Sequence, residues 1–187
     1  MKFQVQKDQL LMIGFFGGII LGTVFANTAG TEFRAEMGIF GSYVGERLPL
    51  NGGFKKELFQ VVLKQRAWEL LVPWLFSLTS LAVPVFVGMA AYYGFSMAVV
   101  LSMTTMQMGI SGILGFGASL APHYFLYIPF WYLFAARCMR VQGQFRQKRE
   151  IRIHIAALLL FFMIFSAGAW LEAYINPVVL QRILLDF

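Results

Sequence analysis

The chain has one cysteine, two histidines and little charge, and each shortage closes off a class of function. Cys138 alone permits no intramolecular disulfide, and the lack of a Cys/His cluster removes zinc and iron–sulfur sites, so no metal centre is expected. No glycine-rich phosphate loop stands between a strand and a helix, no Ser or Cys has a recognisable base beside it, and no acid pair is spaced for hydrolysis. Neither a catalytic residue nor a cofactor is therefore expected. Only 13% of the residues are charged, about half the globular average. Apolar side chains fill the remainder: 59% of 187 residues are hydrophobic, with twenty Phe and ten Met, and the mean hydropathy is +0.69. A core of this size cannot bury that much, so the expected solvent is membrane lipid and a soluble enzyme is excluded. The net charge of +6 does not indicate a nucleic-acid partner, because most of the excess sits in one short segment between apolar runs, as in cytoplasmic loops.

Lys2, Lys7 and Asp8 precede an uncharged run over residues 9–26, about 27 Å of helix and close to the hydrocarbon thickness. Gly14, Gly18 and Gly22 recur every four residues there, which puts three small residues on one face for close helix packing. A cleaved signal peptide ending at Ala26 is the alternative, but the run is long for one and more spans follow. Residues 27–66 mix charge with glycine and form the only large extramembrane segment. Within it Phe54, Leu58, Val61 and Val62 fall at i, i+4, i+7 and i+8, an amphipathic helix that lies on the membrane or a partner, or packs on its own bundle.

The second span is expected over 68–87, with Glu69 at its mouth and Pro73 and Pro84 near its ends, followed by a turn over Gly88 to Gly94. The third, over 95–120, is interrupted by glycines and carries Thr104, Gln107 and Ser111 at membrane depth. It reads as one tilted helix or as two half-helices with a break near Gly109. Ser111, Gly115 and Ser119 repeat the spacing of small residues that favours helix packing. Pro122 and His123 open a fourth span over 122–138. A basic loop over 139–152 follows, where Arg140, Arg146, Lys148, Arg149 and Arg152 face one acid, Glu150. Placing that loop and the N-terminus in the cytoplasm requires an even number of crossings between them, which four spans supply; a fifth over 153–175 leaves the C-terminus outside. The expected fold is an all-α integral membrane protein with about five transmembrane helices and one outer amphipathic helix.

Two ionisable side chains stand out. His123 has no second His or acid near it in sequence and reads as a residue contacting backbone at a helix start. Glu172 is the most lipid-embedded acid, and its nearness to a helix end makes snorkelling to water the cheaper explanation.

The segment Ala121-Pro122-His123-Tyr124-Phe125-Leu126-Tyr127-Ile128-Pro129-Phe130 resembles the signature of the stage II sporulation protein M family, in which a Pro-His opening and a second proline seven residues later mark the fourth span. The order of parts along the rest of the chain fits as well. Many members outside the sporulation branch have Gly after the His and Glu two residues before the second proline; Tyr124 and Tyr127 stand at those positions, which favours the sporulation branch. The resemblance implies a membrane scaffold in an endospore-forming bacterium, seated in the mother-cell septal membrane. Such a scaffold would hold two cell-wall hydrolases, a lytic transglycosylase and an amidase/endopeptidase, that thin septal peptidoglycan during engulfment. Phe54, Leu58, Val61 and Val62 are the candidate partner contacts. The rival is a small transporter or pore subunit with a polar path along Thr104, Gln107 and Ser111. It lacks the internal repeats usual for transporters, which a homo-oligomer could offset.

Overall fold

The structure, a computed structural model, describes residues 2–29, 52–120, 123–142 and 148–178. The described residues are almost wholly helical: α1 (Lys2–Thr28), α2 (Gly52–Ser77), α3 (Ala82–Met108), α4 (Ile110–Leu120), α5 (Tyr124–Val141) and α6 (Lys148–Tyr174). Pro122, most of the outer segment (30–51), residues 143–147 of the basic loop and the tail from 179 lie outside the described residues, as does the side chain of Ser119.

The expected second span is divided. Helix α2 ends at Ser77 and α3 starts at Ala82, because Thr79 redirects the backbone bonds: its hydroxyl donates to Phe76 O at 2.7 Å and accepts from Leu81 N at 3.2 Å. Pro84 then falls in the first turn of α3, where a missing N–H costs nothing. The turn expected over Gly88 to Gly94 is instead the middle of α3. Gly94 serves there for close approach, since a Cβ on it would collide with the backbone of Phe15.

The third hydrophobic run breaks where glycine allows it. Gly109 has φ +59°, a conformation open to glycine and strained for other residues. Gly112 lies directly against the backbone of Thr104, although residues eight apart in a continuous helix would be about 12 Å apart. Helix α4 therefore doubles back on the end of α3. The outer amphipathic helix is not a separate element among the described residues. Residues 52–66 run without interruption into the apolar half of α2, with no proline before Pro73 to stop them.

Contacts set the sense of each helix. Gly14, Gly18 and Gly22 sit on the backbone of Val87, Ala91 and Phe95, so α1 and α3 run parallel. The α2–α6 pair is antiparallel, with Ser77 bonded to His154 and Arg66 to Glu172. Helix α5 runs from Tyr127, beside Glu172, to Met139, whose carbonyl accepts from Lys7 Nζ at 2.6 Å. One end of the bundle thus collects the start of α1, the 78–81 turn, the end of α5 and the start of α6. Between the ends, Phe86, Phe134 and Phe161 stack edge to face with centroids 5.9 and 5.2 Å apart, joining α3, α5 and α6.

Among the described residues, three helical stretches are long and apolar enough to cross a membrane: Gln9–Thr28, Ala82–Met108 and Arg149–Val178. Helix α2 is diluted by Lys55, Lys56, Glu57, Lys64, Arg66 and Glu69, and α5 by its Tyr and Trp residues and by Arg137 and Arg140. The outward faces of α1 and α6 are nonetheless apolar, with Ile13, Phe16, Ile20, Leu159 and Met163 exposed. An apolar jacket of that kind fits a membrane protein.

Candidate functional site

Helix α2 carries Arg66 and Glu69 one turn apart, in the span of sequence where apolar residues take over from charged ones. Arg66 Nη1 donates to Glu69 Oε2 at 2.7 Å, and its Nη2 donates to Glu172 Oε1 and Oε2 at 3.3 and 3.1 Å. The guanidinium also lies over the ring of Tyr127, 4.5 Å from its centroid, an arrangement that suits the planar arginine head. Tyr127 donates its hydroxyl to Glu172 Oε2 at 3.1 Å, and Gln65 Nε2 donates to Glu69 Oε1 at 3.1 Å. The three charged side chains are between 14% and 21% exposed, so their pairing is not a solvated surface bridge. One guanidinium among two carboxylates leaves the cluster with one surplus negative charge.

Position follows from the helices. Arg66 precedes Ser77 by eleven residues, about 16 Å of helix from the end of the bundle. Tyr127 fits between Arg66 and α6 because Gly168 has no Cβ to meet its ring. Buried His123 packs edge-on against Tyr124 and Tyr127 at 4.9 and 5.6 Å. This differs from the expected backbone contact: its side chain makes no capping bond, and its Nδ1 has no hydrogen-bond partner among the described residues.

Beside the cluster is a cavity of about 320 Å³ whose walls come from α1, α2, α3, α5 and α6. Arg66, Glu69, Tyr93, Tyr124 and Trp131 make its polar part, and Leu11, Phe15, Met97 and Phe165 belong to its apolar part. Among the described residues no group of His, Cys, Asp and Glu is arranged to hold a metal.

The opposite end of the bundle holds a second polar contact. Ser77 Oγ donates to Trp74 O at 2.6 Å and lies 2.8 Å from His154 Nε2, whose ring stacks on Trp74. A hydroxyl has one proton, so with it on the carbonyl the imidazole is the donor to Ser77. Both side chains are buried, and this arrangement ties α2 to α6 rather than activating a nucleophile.

The residues singled out by sequence are distributed unevenly. Glu172 is paired with Arg66 and Tyr127 rather than reaching for water. Gly14, Gly18 and Gly22 lie in the α1–α3 contact. On α4 the close approach falls on Gly112; Ser111 is exposed and Gly115 has open space beside it. Thr104 bonds back to Val100 and Leu101, and Gln107 is exposed, so the two are not gathered around the cavity. Phe54 and Leu58 are half-buried, Val62 is buried and Val61 is exposed, which splits the proposed partner face. Pro129 lies exposed inside α5. Sequence reasoning missed Arg66, whose i, i+3 spacing to Glu69 inside an apolar run was the available signal.

Neither the curated proteins nor the solved structures provide a match. The family described as Stage II sporulation protein M matches residues 11–177, a stretch that begins in α1 and ends just beyond α6. With that coverage the chain belongs to the stage II sporulation protein M family, and is a sporulation-related membrane protein.

Proposed function

We propose that the chain is a non-catalytic scaffold that gathers cell-wall hydrolases at the septal membrane during endospore engulfment. The observation that carries this reading is the family match over residues 11–177. On this reading α1, α2, α3, α5 and α6 each cross the bilayer, the N-terminus, the 78–81 turn and the basic loop face the cytoplasm, and α4 and the C-terminus lie outside. The common placement of Lys7, Arg137, Arg149 and Arg152 toward one end supports that orientation. A scaffold works by holding partners at high effective concentration beside the wall, and the outer segment with the start of α2 offers the surface for a lytic transglycosylase and an amidase/endopeptidase. The transporter alternative has less support, since its polar candidates on α3 and α4 are not brought to the cavity.

The test is co-purification in mild detergent from a sporulating host. Wild-type chain is expected to bring down the hydrolases, and a Phe54→Ser/Val61→Ser variant, which spares buried Val62, to lose them. Absence of hydrolases from well-folded wild type would sink the scaffold reading.

A further inference from the structure

We propose that the cavity beside Arg66 holds an acyl chain of a zwitterionic, amine-bearing phospholipid. The proposal rests on the chain being a membrane protein and not on its having hydrolase partners.

Access comes first. Met12 on α1 and Ile128 on α5 line the cavity, yet they are 59% and 60% exposed. The cavity therefore opens sideways between α1 and α5, into the same apolar surface that Ile13 and Phe16 present. Lipid, rather than water, stands at that opening. Size limits the guest: about 320 Å³ is at the small end for ligand pockets, and a helix about 10 Å across cannot enter.

The interior then selects chemistry. Leu11, Phe15, Ala90, Met97 and Phe165 suit a hydrocarbon chain. Headgroup choice follows from the surplus carboxylate of the Arg66–Glu69–Glu172 cluster, which opposes an anionic lipid and favours one carrying an ammonium.

Native mass spectrometry of the full chain, released from detergent containing equal phosphatidylethanolamine and phosphatidylglycerol, tests this. One phosphatidylethanolamine adduct should survive activation that strips loosely held lipid, exceeding the phosphatidylglycerol adduct by about fivefold or more. Glu172→Gln, which removes the surplus charge at nearly constant shape, should bring the two adducts near parity. Ala90→Leu, which adds bulk to the cavity wall, should lose the adduct, while Gly17→Leu on the open side of α1 should keep it. No resistant adduct on wild type, or equal adducts of the two lipids, overturns the proposal; so does an unchanged preference in Glu172→Gln, a readout that stands even if Ala90→Leu fails to fold.

Discussion

Arg66 stands between two carboxylates with 14% of its side chain exposed, so replacing it uncovers charge instead of deleting it. Arg66→Ala is expected to destabilise the chain by about 3 kcal/mol, the usual penalty for orphaning a half-buried ion. The triple variant Arg66→Met, Glu69→Gln, Glu172→Gln should recover most of that loss, because it leaves no unpaired charge; thermal unfolding in detergent reads both. A triple variant no more stable than Arg66→Ala would assign the effect to the stacking on Tyr127. Little of this cluster was visible in the sequence. Glu172 could be singled out as an acid at membrane depth, but its partner lies 106 residues away, and no local pattern joins the two. Tyr127 shows the opposite case: it was legible as a departure from a family position that often holds Glu, and the structure gives the reason it matters, since that position faces Arg66.

The α1–α3 pair rests on glycines whose absent side chains can be tested one at a time. Gly18→Ala would drive a Cβ into the backbone of Ala91, whereas Gly17 has nothing within 4 Å. Gly18→Ala should therefore part the helices and cost about 2 kcal/mol, while Gly17→Ala should be neutral or slightly stabilising. Size-exclusion profiles and melting temperatures in detergent distinguish them, and equal behaviour of the two would contradict the packing. Gly109→Ala should cost about 1 kcal/mol or more from its positive φ alone. At this scale the sequence was informative where spacing has one meaning. The every-fourth glycines of α1 and the proline-marked α5 could be read from it, whereas at Gly109 a break and a continuous tilted helix were equally open. The 78–81 turn could not, because Leu78 and Leu81 continue the apolar run and the bond from Thr79 to Phe76 O is invisible before folding. Gly88 and Gly94 looked like a turn for the same reason that Gly18 did not: glycine signals both bends and close approach, and only a facing helix separates the two.

The whole molecule makes a prediction about sidedness. Cys138 is 1% exposed and should stay silent to maleimide, so single cysteines introduced elsewhere report cleanly. A cysteine at Ser80 is expected to label only after the membrane is permeabilised, and one at Lys56 to label in intact protoplasts; the reverse pattern would invert the bundle. The parallel α1–α3 contact carries a consequence for how the chain is made. Gly18 and Ala91 are separated by 73 residues, so at about 5–20 residues per second the ribosome needs roughly 4–15 s to deliver the partner of a helix already in the bilayer. Throughout that interval the glycine groove of α1 is vacant, and it is open to other helices that present small residues of their own. Polysomes translating this message would place several such grooves side by side, and a slowly translated stretch before codon 91 would lengthen their exposure. Biogenesis of the bundle is thus a race between elongation and lateral encounter, with α3 as the element that ends it.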